Sequence, residues 1–580
     1  MTAPTGDVPG VFVALSVTAD AGEDERLALV RRAERAAASV AAVAGGRPVV
    51  TTPEEPGDAA GLLTLACTTT GGGPLDVAAL GARPDAALGL APSLVAPGGL
   101  WARSGGRVVV AADPLGILQL HVARQARWAA CSTSALALAS LTGAGLDEAA
   151  LSVFALLGVH AGDETPFAGV RTLRAGQACT LAGGRAERTP FAATAEDAGE
   201  GDPVDAGVDV VRASVAAAVA GHDAVHLELS GGLDSRLLLA ALREMPVAVT
   251  TMTVGSPGAP DVRVAGDLSR RLGLPNQVVD LAGLATLSPA EAWELVRRAA
   301  AGRDACGNAV GEGVLELVED RSAQGPRISG QNGEFARGFY YAGQPPWPRP
   351  TPALAGALVR WRLTTNDAVD ASVVDAGFRE AGSARVATLV EEALRGYGRP
   401  WLAATDELYL DLRMRRWVGP EHSAASRRHP VLAPFFHPAY LAWARRAAPA
   451  DKRGSRLCAA VLQRMAPDLA ALPLDSGRTP AEMARRDVAG RASALAHSAG
   501  KVAAKVRQRL QSTGRPAVGA VSLAARVHEH WRAEPASLEP VLALPFVARG
   551  AVEAFLAGQR GLDVASTSFL VDLVVAAERR

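Results

Sequence analysis

The sequence predicts an α/β protein made of two unlike parts, and three observations lead to this prediction. Short apolar segments broken by Gly, Pro and Asp fill the first two hundred residues, which is typical of a β-rich layered structure. From residue 205 onward, apolar segments of strand length alternate with segments of helical periodicity, which favours a doubly wound parallel sheet. After Leu354 the pattern is helical almost throughout, which predicts a helical extension.

The N-terminal part is predicted to hold strands, one helix and a linker. The predicted strands are residues 11–17, 61–67, 100–102, 107–111, 129–132 and 169–176, the last ending in a turn. A helical pattern covers residues 146–157. Residues 193–204, rich in Ala, Glu, Asp and Gly, form the predicted linker, so we expect one domain over 1–195 and a second over 205–580.

The second part begins with the strand–helix alternation. The predicted strands are residues 224–229, 247–254, 277–281 and 326–329, and the predicted helices are 208–220, 261–272 and 289–301. Ligands bind such sheets beyond the carboxyl ends of the strands. We therefore expect the functional site at the residues that follow the first of these strands.

Bulk composition excludes several classes of protein. The 59 Lys and Arg residues nearly balance 60 Asp and Glu, so the chain has no overall charge that would attract nucleic acid or an anionic membrane. No uncharged apolar segment reaches the roughly 20 residues that a membrane helix needs, and no signal peptide is evident. Five scattered cysteines without metal-type spacing are typical of reduced cysteines in a cytoplasmic protein.

The most informative motif is a turn rich in glycine and serine, Ser230-Gly231-Gly232-Leu233-Asp234-Ser235. It follows a predicted strand and precedes a helical pattern. Glycines permit close approach to the backbone, and successive N–H groups at a helix N-terminus face an anion. The pattern predicts a phosphate cradle, with an ordinary strand–turn–helix corner as the alternative, and without a lysine it is not a Walker-type loop. It resembles the pyrophosphate loop of enzymes that split ATP between the α- and β-phosphates. Arg236, the next residue, is expected either to reach a phosphate or to form a salt bridge on the helix.

A second glycine-rich turn, residues 329–340, follows the fourth predicted strand and contains Glu334. Together with residues 251–255, the two turns resemble those of the asparagine synthetase superfamily. That group includes glutamine-dependent asparagine synthetases, β-lactam synthetases and lasso peptide cyclases. Residues 113–116, 128–134 and 165–170 look like degenerate stretches of its N-terminal glutaminase domain.

The resemblance implies a fold and a reaction. It implies a degenerate Ntn-type αββα glutaminase-like domain followed by a synthetase domain of the adenine nucleotide α-hydrolase type. Members adenylate a carboxylate with ATP, release pyrophosphate and let an amine displace AMP.

The resemblance also assigns roles to residues. Asp234 and Glu334 correspond to the ligands of Mg²⁺, with Glu334 one methylene longer than the usual Asp. The residues that correspond to the nucleotide site are Leu229, Ser230, Gly231, Gly232, Asp234, Ser235, Val254 and Gly330.

Three departures from the family pattern shape the functional prediction. No cysteine opens the first strand, and Thr2 lies too far upstream to replace it, so we expect that glutamine is not the nitrogen donor. Gln331 stands at the acid–base position, where an amide cannot take up a proton, so the base is elsewhere or is the amine itself. The late lysine of the family has two candidate replacements, Arg456 by spacing and Lys452 behind it.

These observations lead to one main hypothesis and two alternatives. The main one is an ATP- and Mg²⁺-dependent ligase that couples a small-molecule or peptide carboxylate to an amine, in natural-product or peptide tailoring such as macrocyclisation. The alternatives are a nucleotide-binding pseudoenzyme or scaffold and a glutamine-dependent asparagine synthetase. A partner protein or a homo-oligomer is compatible with the sequence, whereas nucleic acid and membrane are not expected as partners.

Overall fold

The computed structural model describes residues 8–77, 83–194, 201–364, 367–485, 500 and 519–578. The strands in these ranges are β1 (Val11–Val17), β2 (Pro48–Thr51), β3 (Ala59–Leu62), β4 (Thr68–Thr69), β5 (Leu94–Val95), β6 (Gly99–Ser104), β7 (Arg107–Ala112), β8 (His121–Arg124), β9 (Trp128–Ser132), β10 (Val170–Thr172), β11 (Gln177–Ala182), β12 (Arg185–Pro190), β13 (Ala224–Glu228), β14 (Ala248–Val254), β15 (Asn276–Val279), β16 (Arg327–Ile328) and β17 (Val431–Leu432).

Helices make up most of the remaining described chain. The α-helices are Glu23–Ala44, Pro84–Leu90, Ala135–Thr142, Glu148–Leu157, Pro203–Val219, Leu233–Leu242, Pro260–Leu272, Pro289–Gly302, Ala309–Arg321, Pro352–Leu358, Ala376–Gly396, Trp401–Leu408, Gly419–Ala425, Pro438–Arg446, Pro449–Lys452, Arg456–Met465, Pro467–Ala470, Pro480–Met483, Ala520–Ala533, Glu539–Leu542, Arg549–Leu556 and Val564–Glu578. Val359–Leu363 and Tyr409–Val418 are π-helical. Short 3-10 turns include Gly333–Arg337 and Pro434–Phe436.

Two stacked sheets form the N-terminal part. One has the strand order β10-β8-β9-β1-β2 and the other β12-β11-β7-β6-β3. Alternate residues of β1 face opposite sides, since Phe12 and Ala14 pack between the sheets while Val13 and Leu15 pack against the helical layer. Helices Glu23–Ala44 and Ala135–Thr142 cover the first sheet, and Pro84–Leu90 covers the second. The layer order is therefore helix, sheet, sheet, helix.

A five-stranded parallel sheet forms the second part, in the order β15-β14-β13-β16-β17. From β13 the chain moves outward to β14 and β15, then returns to place β16 on the other side of β13. The direction of winding thus reverses between β13 and β16. The carboxyl ends of strands at such a switch point form the crevice in which doubly wound sheets bind ligands.

The predicted α/β fold class is confirmed, and most predicted elements are present with small shifts in their ends. The helix predicted over 208–220 is Pro203–Val219, which begins earlier because the Asp202 side chain accepts a hydrogen bond from Val204 N and Pro203 suits the first turn. Residues 195–200 of the predicted linker lie outside the described residues.

The structure differs from the predicted elements in three respects. Of the strand predicted over 61–67, only the first residues belong to a strand, Ala59–Leu62. Helices Glu23–Ala44 and Ala309–Arg321 were not predicted, the first because its alanine-rich sequence has a weak apolar stripe. Within the region predicted to be helical, Val431–Leu432 forms β17, which pairs with β16; two residues flanked by Pro430 and Ala433-Pro434 are too few to show a period.

Among the helices that the structure describes, none combines the length and the apolar composition required to cross a bilayer.

Arg236 ties the first helix of the parallel-sheet part to a distant segment. Its side chain is fully buried, and its guanidinium donates hydrogen bonds to the carbonyl oxygens of Leu469 (3.2 Å), Leu472 (2.6 Å) and Pro473 (2.9 Å). Burial lowers its pKa to about 10, which still leaves it charged at neutral pH. Arg236 therefore reaches neither a phosphate nor a carboxylate, and its role is to fix the segment that approaches the loop at Gly231.

We expect Arg236→Met to lower the free energy of unfolding by about 3 kcal/mol, because three carbonyl groups lose a charged donor in a buried place. Denaturation in urea would measure the change. Arg243→Met is the matched control, since Arg243 at the end of the same helix forms only an exposed ion pair with Asp468 and its loss costs less than about 1 kcal/mol. Equal effects of the two substitutions would contradict the structural role of Arg236.

Candidate active site

A cavity of about 380 Å³ lies beyond the carboxyl ends of β13, β14 and β16. Three segments form one side of it: the phosphate loop (residues 230–235), the end of β14 at Val254 and the acidic turn (residues 329–338). Helix Gly419–Ala425 and the start of β17 form the opposite side. The cavity is thus at the switch point where the sheet predicts a ligand.

The phosphate loop is held in shape by its own hydroxyl groups. The Oγ atoms of Ser230 and Ser235 are 3.1 Å apart, and Ser230 Oγ accepts a hydrogen bond from Gly232 N at 3.2 Å. Gly231 N donates to Asp261 Oδ1 at 2.9 Å, so this backbone amide already binds an anionic oxygen. A β-carbon at Gly231 would lie 2.9 Å from that same oxygen, and therefore the position requires glycine.

The acidic turn packs directly on the phosphate loop. A β-carbon at Gly333 would lie 2.5 Å from Asp234 Cγ, and one at Gly330 would lie 3.3 Å from Ser235 N. Asn332 adopts a left-handed conformation with φ of 71°, and its amide donates to the Phe435 carbonyl at 2.7 Å. The two glycines and the anchored asparagine bring the acidic turn against Asp234.

One arginine joins the two carboxylates that the sequence assigns to metal binding. Arg337 Nη2 lies 2.5 Å from Asp234 Oδ2 and 3.5 Å from Glu334 Oε1, and the Tyr409 hydroxyl donates to Glu334 Oε2 at 3.0 Å. Burial raises the pKa of Asp234 to about 6, with Glu334 adding to the rise and Arg337 opposing it. Sequence reasoning missed Arg337, although it lies three residues after Glu334.

The carboxylates fit a divalent cation in type and position. Asp234 Oδ1 is buried and has no hydrogen-bond partner among the described residues, so it is free to coordinate. No cluster of three or more metal-ligating side chains occurs in the described part of the chain. Mg²⁺ in nucleotide sites is commonly held by one or two carboxylates together with substrate phosphates, which is the set that Asp234 and Glu334 offer. In this structure Arg337 supplies the positive charge between Asp234 and Glu334.

The opposite wall contains two pairs of glutamate and histidine. Nδ1 of His422 lies 3.4 Å from Glu421 Oε2, and Nδ1 of His429 lies 2.9 Å from Glu319 Oε2. Burial raises the pKa of Glu319, but the contacts with His429 and with Arg327 at 2.5 Å outweigh it and lower the pKa to about 2. Glu319 and His429 are more than a hundred residues apart in the sequence, and Glu421 and His422 are neighbours without a motif around them. The sequence therefore indicates neither pair.

The structure places the two predicted cations outside the cavity. Lys452 is buried behind the acidic turn, with Nζ 2.7 Å from Asp406 Oδ2 and 5.1 Å from the centre of the Phe335 ring. Arg456 donates to Asp451 Oδ1 at 2.7 Å.

The remaining predicted residues gather around the cavity. Those that line it are Leu229, Ser230, Asp234, Ser235, Val254, Gly330, Gln331 and Glu334. Gly231 and Gly232 complete the loop between them.

A larger cavity, of about 780 Å³, lies between the N-terminal layers and helix Ala376–Gly396. Its wall is mostly apolar, and four of its charged groups form two ion pairs, Arg415 with Asp411 at 2.7 Å and Arg445 with Glu407 at 2.8 Å. The phosphate loop and the acidic turn line the smaller cavity instead. The smaller, polar cavity is therefore the candidate active site.

The fold is a doubly wound α/β fold, and its glycine- and serine-rich loop faces an acidic turn at the switch point, which is where proteins of this class bind nucleotides. Residues 208–301, which include β13, the phosphate loop and β14, match the family model described as asparagine synthase. The match covers this segment alone, and in it the chain is similar to the asparagine synthases, as the sequence motifs lead one to expect. No curated protein matches the chain.

Arg337→Met leaves two neighbouring carboxylates without their cation. We expect the free energy of unfolding at neutral pH to fall by about 3 kcal/mol, since the substitution leaves the buried carboxylate of Asp234 without its cation, whereas the more exposed Glu334 adds little. Thermal unfolding with and without Mg²⁺ measures this, and Mg²⁺ restores part of the loss if it binds the same oxygens. Arg337→Lys keeps the charge and serves as the control. A fully stable Arg337→Met protein would show that the bridge does not support the site.

Glu319 makes stability depend on acid pH. Its folded pKa of about 2 lies below the ordinary 4.5, so its contribution is complete above pH 4.5 and is lost as the pH falls toward 2. We expect Glu319→Gln to cost about 3 kcal/mol at neutral pH and to flatten the decline below pH 4.5. Urea denaturation at several pH values measures both effects, with the exposed Glu294→Gln as control. An unchanged decline in Glu319→Gln would disprove the coupling.

Proposed function

We propose that the protein joins a carboxylate to an amine through an acyl-adenylate, without hydrolysing glutamine. The observation that supports this most directly is the contact between the acidic turn and the phosphate loop, which sets Glu334 beside Asp234. Release of pyrophosphate from ATP needs both an anion cradle and concentrated positive charge. This one place in the molecule offers the cradle and the ligands for a cation.

The phosphate loop, the end of β14 and the two carboxylates have separate roles in the proposed reaction. The hydroxyls of Ser230 and Ser235 and the loop amides bind the phosphates, and the end of β14 at Val254 borders the adenine. Asp234 and Glu334 would hold Mg²⁺, which neutralises charge on the departing pyrophosphate. The substrate carboxylate attacks the α-phosphorus and expels pyrophosphate. The amine then attacks the acyl carbon, and AMP leaves with the electron pair of the broken bond.

The nitrogen donor in this proposal is a substrate amine. No cysteine lies at the start of β1, and the described cysteines, at positions 67, 131, 179, 306 and 458, are all buried. Holding an amine and an acyl-adenylate together lowers the barrier by roughly 7–11 kcal/mol. In a natural product or a peptide that contains both groups, the amine and the carboxylate are already held in one molecule. This supports tailoring or macrocyclisation as the reaction.

A second candidate function has an observation of its own. Lys452 is sequestered by Asp406, Arg456 by Asp451, and Arg337 bridges the two carboxylates. A protein that binds the nucleotide but no longer transfers it is compatible with this arrangement. Such a pseudoenzyme would act as a scaffold and release neither AMP nor pyrophosphate.

Calorimetric titration with Mg·ATP tests nucleotide binding without knowledge of the substrate. We expect a dissociation constant between about 1 μM and 1 mM. Asp234→Asn should weaken binding at least tenfold because the site loses a ligand for the cation, whereas Asp267→Asn, on the exposed face of helix Pro260–Leu272, should bind as the wild type does. Absence of binding in the wild-type protein would contradict both candidate functions.

The second measurement separates the two candidates. Pyrophosphate release is followed with a panel of carboxylates, and AMP formation is followed when amines are added. Release that depends on one carboxylate supports the ligase. Tight binding of Mg·ATP with no pyrophosphate from any member of the panel supports the scaffold.

A further inference from the structure

His422 has a buried nitrogen for which the fold provides no partner. Its side chain is 6% exposed, and it lines the cavity that contains the phosphate loop. Nδ1 faces Glu421, while Nε2 is buried and makes no hydrogen bond with any described residue. A buried polar atom without a partner costs about 1–3 kcal/mol. Such a group in an active-site wall indicates a partner that arrives with the substrate.

His422 lies across the phosphate loop from Val254, which borders the adenine in the proposed function, and this leaves the side of His422 for the amine. The strand order β14-β13-β16-β17 puts Val254 on one side of the phosphate loop and the segment that leads into β17 on the other. Adjacent strands are about 4.8 Å apart, so β13 and β17 are separated by roughly 10 Å. Between them lies Gln331, whose amide cannot accept a proton. His422 is the imidazole beyond it.

An aromatic ring and several charged side chains surround the pair of His422 and Glu421. The Phe436 ring packs edge-on against the imidazole, with centroids 6.0 Å apart. Burial raises the pKa of Glu421, but His422 and Arg303 outweigh it and lower the pKa below its usual value. The other charged groups that face this glutamate are the carboxylates Glu228, Glu312 and Glu319. Arg303 and Arg327 are the cations among these groups, and Arg327 is paired with Glu319 at 2.5 Å, whereas Glu421 keeps its carboxylate for the imidazole of His422.

We propose that His422 is the general base of the amide-forming step, with Glu421 as the positioning residue; this rests on the proposed function. Glu421 accepts the hydrogen bond of Nδ1–H and leaves the lone pair of Nε2 free. As the amine nitrogen bonds to the acyl carbon, Nε2 takes the proton of the amine. The bond from the acyl carbon to the phosphate oxygen breaks, and AMP leaves with its electrons. The imidazolium then returns the proton to solvent.

The assignment predicts that His422 acts in the second step alone. In His422→Gln, pyrophosphate release with the carboxylate that is most active in the panel stays within about twofold of the wild type. Amide formation with a primary alkylamine falls by about 10²- to 10⁴-fold, the usual range for loss of a general base. Hydroxylamine, which is unprotonated at neutral pH, reacts nearly as fast as with the wild type. The rise of the alkylamine rate with pH shifts to higher pH in the variant.

Three further variants sharpen the test. Glu421→Gln keeps the imidazole but loses its carboxylate partner, so the alkylamine rate falls less than in His422→Gln. His528→Gln, between the C-terminal helices and bonded to Thr567, leaves all rates unchanged. His422→Ala, with imidazole added to the solution, regains part of the alkylamine rate, which a purely structural role would not allow.

The outcomes are distinguishable. If the wild type releases no pyrophosphate with any carboxylate, the proposed function fails before His422 is tested. If both steps are equally fast in the wild type and in a folded His422→Gln protein, the base assignment is overturned. If the alkylamine rate and its pH dependence change in His429→Gln instead, the base is the other histidine of the wall.

Discussion

A single guanidinium nitrogen of Arg337 contacts both Asp234 and Glu334. The geometry of the site depends on these two contacts, and the surrounding residues hold the three groups together. Two carboxylates that share one cation repel each other when the cation is absent, and the repulsion costs most at Asp234, which is the buried member of the pair. The turn that brings Glu334 to Asp234 is fixed from behind by Tyr440, whose hydroxyl donates to the Gly333 carbonyl at 3.0 Å. The spacing of these charges is therefore set before any ligand binds.

This constraint also explains where the other cations lie. The ammonium group of Lys452 donates to Asp406, which also accepts a hydrogen bond from Tyr341 at 2.7 Å. The charge of Lys452 is therefore neutralised by Asp406, behind the acidic turn. The charge at the carboxylates comes instead from Arg337, on the turn itself. An arginine at this place cannot lose its proton, so positive charge is present beside Asp234 at neutral pH.

The sequence predicts what is contiguous and fails where the structure joins distant segments. The phosphate loop is a run of residues between a strand and a helix, so glycine chemistry and periodicity suffice to find it. Glu334 needed the family resemblance, since one acid in a glycine-rich turn has no signature of its own. His422 and Glu319 lie about a hundred residues apart and meet only because β17 adds to the sheet, and a strand of two residues leaves no periodic signal.

The two sides of the cavity meet opposite electrostatic demands. The phosphate loop offers backbone N–H groups and hydroxyls, which stabilise the negative charge of a triphosphate and of the departing pyrophosphate. The wall at His422 offers carboxylates, which attract an amine in its protonated form but would leave it unreactive. An ammonium group has no lone pair with which to attack, so a wall that recruits it must also remove a proton. Nε2 of His422, buried beside Glu421 and without a partner in the described structure, is the group on that wall equipped to do so.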